Sequence, residues 1–428
     1  MSGLNLLVFR GDQRRVSGQD MKAELARKLE QLCVCCNRDA LLDALLLAGE
    51  LECGTADADG KAARPCEFLT DKIAMAFLRA ESGTTCQNES VQYLLDLSLA
   101  LPALEQLSIS TPEGFAYYAL HPLFYADAVN QICGPEPSLL VVGIRSIGTT
   151  LSAVVAAAAR LRGMKAQRIT VRPEGHPYNR SAEFSPEQLA VIEHNVSACA
   201  TFAVVDEGPG LSGSSFLAVA EALERSGAPL DKIVLVSSHA PNVDALCATD
   251  AAQRWRRFRG VAVEAETRRP AEAADFIGGG HWRRFIANDA EWPASWTSFE
   301  RLKYVPSMEH GERRLFKFAG LGRYGDQTLE REREVAAAGF GPWPRKESDG
   351  FVSYPWIDGR PLSASDLSEA VIARLAEYCA FRLHAFAVEL SDLDALQKMA
   401  EYNVRELGME LPVELRLERP VIADGRMQ

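Results

Sequence analysis

The sequence predicts an α/β protein: a parallel-sheet core, a mainly helical region before it and a smaller α+β unit after it. Three observations carry that expectation. Short apolar runs (SLLVVGIRS, QRITVRP, TFAVVDE and KIVLVSS) alternate with amphipathic helical patterns, as strands do when crossover helices bury both their faces. Leu-rich helical spacing fills about residues 21–106. From Phe299 a new rhythm begins with FERLKYVP and RRLFKFAG, and at 428 residues the chain exceeds one ordinary domain.

Each element has its own signature. The N-terminal helices include ELARKLEQLCVCCNRDALLDALLLAGELEC and VQYLLDLSLALPALEQL, with GTADADGKAARPCE read as a loop between them. PEGFAYYALHPLFYADAVNQI is an aromatic-rich lead into the first strand, SLLVVGIRS. Helix TLSAVVAAAARLRGM, strand QRITVRP, the polar GHPYNRSAEFS and helix PEQLAVIEHNV follow. Strand TFAVVDE, helix GSSFLAVAEALERSG and strand KIVLVSS complete the alternation. The expected divisions are 1–110 helical, 111–250 α/β, 251–298 connecting and 299–428 α+β.

Composition excludes some functions. A formal net charge of -12 argues against a nucleic-acid surface, and RWRRFR (Arg254 to Arg259) reads as a solvated face. No run reaches the ~18 apolar residues of a membrane span, and MSGLNLLVFRGDQRR has no apolar signal core. Ten cysteines without such a signal point to a reducing, cytoplasmic setting and free thiols. Cys33 to Cys36 contain a CxxC spacing. Buried helix thiols explain it, with zinc held alongside Cys53, Cys66 or Cys86 as the alternative.

The chemistry concentrates where TFAVV runs into Asp206 and Glu207 and then into a loop of Gly208, Gly210, Leu211, Ser212, Gly213 and Ser214 before a helix. Unpaired N–H groups at a helix start, with the helix dipole and nearby hydroxyls, suit a phosphate. Two carboxylates beside them suit vicinal hydroxyls or hydrated Mg²⁺. A ribose 5-phosphate carries both partners. An ordinary strand-to-helix turn, with the acids capping N–H groups, is the plainer alternative.

AVVDEGPGLSGSS resembles the phosphoribosyl-pyrophosphate signature of type I phosphoribosyltransferases, although Gly210 and Leu211 stand where that family usually has Thr. The resemblance covers about residues 112–248. It implies that Asp206 and Glu207 bind ribose hydroxyls and Mg²⁺, and that Gly210 to Ser214 cradle the 5-phosphate. VVGIRSIGTTLSAVV is similar to the family's pyrophosphate loop, which gives Ile144, Ser146, Gly148 and Thr149 the leaving group and Arg145 a cationic role. TVRPEGHPYNR stands where the family carries a mobile catalytic loop, with Arg172, His176 and Arg180 as candidates to neutralise pyrophosphate. A surface connection with incidental charges accounts for that stretch equally well. The implied activity is glycosyl transfer in nucleotide metabolism, with the N-terminal helices as a hood over an unidentified acceptor. A regulatory ribose-phosphate sensor without chemistry is one alternative, and a small-molecule kinase with an accessory α/β domain is another.

RRLFKFAGLGRYGDQTLEREREVAAAGFGP and DGFVSYPWIDGRPL resemble the first lobe of aminoglycoside-phosphotransferase and protein-kinase-like proteins. That resemblance implies nucleotide phosphates, as in ATP, at Lys317, with Glu332 or Glu334 as its ion-pair partner. Asp424 in RPVIADGRMQ is the candidate catalytic acid, and the four residues after it include no further metal ligand, so ATP turnover is not expected. A solvated Lys on a small α+β domain is the plainer reading.

Overall fold

The computed structural model describes residues 14–34, 36–83, 88–102, 104–133, 138–263, 268–285, 300–306, 313–359, 362–387 and 393–409. The chain divides into two compact units, one of Met1–Gly114 with Leu120–Thr267 and one of Phe115–Ala119 with Arg268–Gln428.

In the first unit, helices α1 (Gly18–Val34), α2 (Arg38–Ala58), α3 (Ala63–Glu81) and α4 (Asn88–Leu99) precede a parallel sheet. Asn37 caps α2 by accepting the Ala40 N–H at 2.9 Å. The loop expected at GTADADGKAARPCE shrinks to 59–62. Gly54, Thr55 and Ala56 are buried and stay in α2, because the helix is covered on most sides. Cys53 and Cys66 are among those buried helix residues, Cys33 and Cys36 are half-buried, and Cys86 lies outside the described residues. Among the described residues no group of three or more His, Cys, Asp or Glu is placed to hold a metal ion, so the zinc alternative finds no such cluster.

The sheet strands are β1 (Ser138–Ile144), β2 (Lys165–Val171), β3 (Thr201–Val205), β4 (Ile233–Ser237) and β5 (Arg259–Ala262). They pair in the order β2-β1-β3-β4-β5, and every pairing is parallel. β1 is buried at all seven positions and β3 and β4 at all five, which explains their unbroken apolar sequences. Helix α5 (Ile147–Leu161) covers one face, and α2 and α3 pack on its far side. Its Ala-rich sequence follows from burial on both sides. Helices α6 (Pro186–Ser197) and α7 (Ser214–Arg225) cover the other face, over a core that includes Leu140, Val142, Ile192, Phe202, Val204 and Phe216. Ser185 and Gln188 form a capping box at the start of α6.

β5 lies beyond the boundary expected at 250, inside the segment read as a connection. Of the arginines in RWRRFR, Arg256, Arg257 and Arg259 are exposed, as a solvated face requires, and the surface pairs Arg254 with Glu221, Arg256 with Asp244 and Arg257 with Glu224, while Arg259 donates to the Gln131 carbonyl at 2.8 Å. Between them Trp255 and Phe258 are buried. A buried ionic cluster joins β2 to the helical region, with Arg168 bidentate on Glu52 at 2.6 and 3.0 Å and on Asp71 at 2.6 Å.

The second unit holds an antiparallel sheet in which β6 (Lys303–Val305), β7 (Arg314–Phe318) and β8 (Phe351–Pro355) are flanked by two-residue edge strands at Asp275–Phe276 and Arg345–Lys346. Helix α8 (Arg323–Ala337) follows β7, and α9 (Glu369–Ala385) and α10 (Leu393–Glu406) come after the sheet. The chain is therefore a mixed α/β protein with one all-parallel sheet. No helix among the described residues is long and apolar enough to cross a membrane.

Candidate functional site

The strand order creates the site. From β1 the chain crosses to β2 on one side, then returns to place β3 on the other, so the segments leaving β1 and β3 diverge at their carboxyl ends. That divergence is the switch point where open α/β sheets bind ligands. The two sequences singled out above leave those two strands.

At the end of β1, the Arg145 N–H donates to the Val171 carbonyl at 2.8 Å and extends the sheet by one residue. Ser146 then takes φ 122° and ψ -121°, a conformation that favours glycine, and α5 starts at once. Gly148 lies where a Cβ would stand 2.6 Å from the Val205 carbonyl oxygen. Ile144 and Thr149 are buried, and the Thr149 N–H closes onto the Ser146 carbonyl at 3.2 Å.

The cations here are committed to neighbours. Arg145 donates to the Ala56 carbonyl at 3.0 Å and to Asp57 Oδ1 at 2.9 Å, at the end of α2. Arg172 donates to the same carboxylate, to the Arg145 carbonyl at 2.8 Å and to Cys53 Sγ at 3.2 Å. Burial alone would raise the Asp57 carboxyl, but the bonds from Arg172 and Arg145 hold it below its ordinary value. Burial pushes the Cys53 thiol up to about 11, which leaves it a poor nucleophile. Arg145 therefore braces the loop against α2 through one nitrogen, while its buried Nε is left without a hydrogen-bond partner. A cavity of about 340 Å³ opens beside it, lined by Glu50, Asp57, Ser110, Ser146, Arg172 and Arg180 among others.

At the end of β3, Asp206 Oδ1 accepts the Glu207 N–H at 2.9 Å, and Glu207 Oε2 accepts the Gly114 N–H at 3.0 Å. The buried Tyr125 hydroxyl donates to the carbonyls of Asp206 at 2.7 Å and Glu207 at 3.2 Å. The Ser238 N–H donates to the Glu207 carbonyl at 2.7 Å. This backbone is fixed from two sides, and each acid uses one oxygen on a nearby amide. Gly208 lies against the His239 ring, where a Cβ would stand 2.9 Å from Cε1.

The loop then turns through Gly210 (φ 57°), the exposed Leu211 and Gly213 (φ 70°), and α7 begins at Ser214. The Cys247 and Ala248 N–H groups hold the Leu211 and Ser212 carbonyls at 3.0 and 3.2 Å. Not every amide faces outward: the Gly213 N–H closes on Pro209 at 2.9 Å and the Ser214 N–H on Ser212 Oγ at 3.2 Å. The Ser212 and Ser214 hydroxyls both donate to the Pro177 carbonyl.

That carbonyl belongs to the segment read as a polar loop. It is a β-hairpin, Glu174–His176 paired with Asn179–Ser181. His176 is exposed near the tip and accepts the Tyr178 N–H at 3.3 Å, and Arg180 donates to the Pro173 carbonyl at 3.0 Å. Sequence reasoning missed Gly114, Tyr125 and His239. Only the aromatic richness around Tyr125 gave any signal.

In the second unit a cavity of about 670 Å³ brings together Lys317, Glu332, Tyr354, Trp356 and Phe285. Glu332, not the exposed Glu334, shares that cavity with Lys317, and Glu332 accepts from the Tyr354 hydroxyl. Asp424 lies outside the described residues. The run GLGRYG from Gly320 to Gly325 has the spacing of a dinucleotide fingerprint but follows an antiparallel strand. Its glycines serve packing, since a Cβ on Gly325 would stand 2.2 Å from the Gly320 oxygen. No known family model and no curated protein matches the chain.

Proposed function

We propose that the first unit binds a ribose 5-phosphate donor of the phosphoribosyl pyrophosphate type and transfers its phosphoribosyl group to an acceptor. One observation supports this above the others: at the switch point of the sheet an acidic strand end adjoins a helix start whose two hydroxyls converge on a single oxygen. In this reading Ser212 and Ser214 hold the 5-phosphate, and Asp206 and Glu207 accept the ribose hydroxyls. The same two carboxylates suit Mg²⁺, which takes one or two carboxylates and completes its shell with water and phosphate oxygens; when bound it would offset charge on the departing pyrophosphate. Ser146 with Arg172 and Arg180 borders the neighbouring cavity and would receive that group.

The anomeric C–O bond breaks, its electron pair leaves with pyrophosphate, and the acceptor's lone pair forms the new bond. The chain's own residues act by position and charge, since a rigid array of donors needs no reorganisation as charge develops. A sensor would bind through the same contacts without chemistry. Assaying pyrophosphate release from phosphoribosyl pyrophosphate with a panel of nucleobases and amines separates the two. Release that disappears in Asp206→Asn/Glu207→Gln supports the transferase, and binding without release supports the sensor.

A second reading concerns the other unit. Lys317 and Glu332 share a cavity with two aromatic walls, Phe285 and Trp356, which favours a nucleotide such as ATP there. Titration of ATP into the full chain, with and without Lys317→Ala, tests it.

A further inference from the structure

We infer that the cavity beside the turn after β1 selects a positively charged nitrogen base, an amine or amidine, through Glu50, and that this base is the acceptor of the proposed transfer. Leu46, Glu50, Cys53 and Asp57 of α2 all line the cavity, at the i, i+4, i+7, i+11 spacing of a single helix face. The seven-residue step from Glu50 to Asp57 separates them by roughly 10 Å along the helix axis. The two ends of the cavity therefore differ in charge. At one end the Asp57 carboxylate answers to both Arg145 and Arg172, and Arg180 adds a third cation, so an anion belongs there. Burial keeps the Cys53 thiol neutral between the two ends. Glu50 stands at the other end.

Glu50 is a costly residue to bury. Its side chain is only 6% exposed, and a carboxylate taken out of water needs donors or cations around it. Glu52, two residues on, has them in Arg168, which holds it bidentately at 2.6 and 3.0 Å. The cation that reaches Glu50 is Arg14, at 4.0 Å and on a side chain 43% exposed, a loose pair that a ligand cation can join or replace. The wall that carries Glu50 is rigid. Gly49 lies so close to α5 that a Cβ there would stand 1.9 Å from Thr150 Oγ1, and Thr150 lines the same cavity. Leu46, Ile109 and Ile147 add apolar surface that suits a flat ring. A planar amidine on such a ring meets a carboxylate with two parallel N–H···O bonds, whereas an anion in the same place is repelled. The role of this base as acceptor rests on the ribose-phosphate reading, which puts pyrophosphate at the arginine end. Its selection by charge does not.

The test is calorimetric titration of the full chain with three flat probes of similar size: benzamidine, a cation; benzamide, neutral; and benzoate, an anion. Glu50→Gln, which keeps the side-chain shape, and Arg14→Ala, at the surface, accompany the wild type. Benzamidine should bind saturably and at least about tenfold more tightly than either other probe, within the worth of hydrogen bonds to a charged group. Glu50→Gln should remove that preference. Arg14→Ala should strengthen benzamidine binding about twofold, since a loose exposed pair is worth little more. Equal affinity for benzamidine and benzamide, a preference that survives in Glu50→Gln, or no benzamidine binding overturns the cation site. Ribose 5-phosphate titrated into the same proteins reports separately on the other reading. Its binding to all three leaves the ribose-phosphate reading standing whatever the probes do. Its failure to bind the wild type, with benzamidine selectivity intact, keeps the cation site and overturns its acceptor role.

Discussion

The backbone of Gly148 and the carbonyl oxygen of Val205 approach so closely that a Cβ on Gly148 would stand 2.6 Å from that oxygen. This contact sets the spacing between the start of α5 and the acidic end of β3, and Asp206 Oδ1 would lie only 3.3 Å from the same Cβ. Gly148→Ala must push the two loops apart. Overpacking of this kind costs about 1–3 kcal/mol. Urea denaturation should show that loss, and ribose 5-phosphate should bind more weakly than the stability change alone explains. A variant with unchanged stability and affinity would show that the loops need not touch.

The anion cup makes a second, independent prediction. Ser212→Asp puts a negative charge where a phosphate is expected, and Gly213→Val puts a branched side chain on a residue with φ 70°, beside Leu246. Each should abolish calorimetric binding of ribose 5-phosphate. Ser212→Asp should keep its circular dichroism spectrum, because Ser212 is only half-buried and lies in a loop outside the helices and strands. Normal binding by the Asp variant would reduce the loop to an ordinary turn.

Much of this was legible in the sequence, for physical reasons. β1, β3 and β4 are buried along their whole length, so each appears as a short apolar run. The acids and the Gly/Ser loop are contiguous in the chain, and the sheet then sets them beside the turn that follows β1. β5 was not legible because it is a four-residue edge strand that starts Arg-Gly and is half exposed. The Asp57 contacts with Arg145 and Arg172 join residues 88 and 115 apart, and no local pattern encodes such a pairing. Arg145 looked from the sequence like a cation for pyrophosphate, and its pairing with Asp57 and the Ala56 carbonyl is what the sequence did not show.

The buried Glu52 carboxylate should give stability an unusual pH dependence. Burial raises its pKa from 4.5 to about 6 despite the pull of Arg168. The folded protein therefore binds this proton more tightly than the unfolded chain does. The contribution of Glu52 is complete below 4.5 and is lost as pH rises through about 6, a change worth roughly 2 kcal/mol. Asp57, held low, acts in the opposite sense, and its contribution fades only as pH falls below 3.8. Glu52→Gln removes the first effect while Asp71 still pairs with Arg168. Between pH 4.5 and neutrality the unfolding free energy should shift in favour of the Gln variant by roughly 2 kcal/mol. A constant difference, or a shift of the opposite sign, contradicts the assignment.

In the second unit Lys317→Ala should remove nucleotide binding, and Glu334→Gln should leave it unchanged, because Glu332 is the acid that shares the cavity with Lys317. Fluorescence of Trp356 on the cavity wall offers a direct readout during ATP titration. Equal affinity in the wild-type and Lys317→Ala chains would leave the nucleotide reading without support.

Asp206 and Glu207 should face a ribose phosphate at the switch point. Calorimetric titration of ribose 5-phosphate with Mg²⁺ into the full chain and into Asp206→Asn/Glu207→Gln tests it most directly. Both amides keep an oxygen to accept the Glu207 and Gly114 N–H groups, so the variant should stay folded. Its affinity should fall at least about tenfold, or 1.4 kcal/mol, which is within the worth of hydrogen bonds to charged groups. Saturable binding to the wild type that weakens in the folded double variant is the predicted result. Equal affinity in the two proteins, or no binding to the wild type, would contradict it.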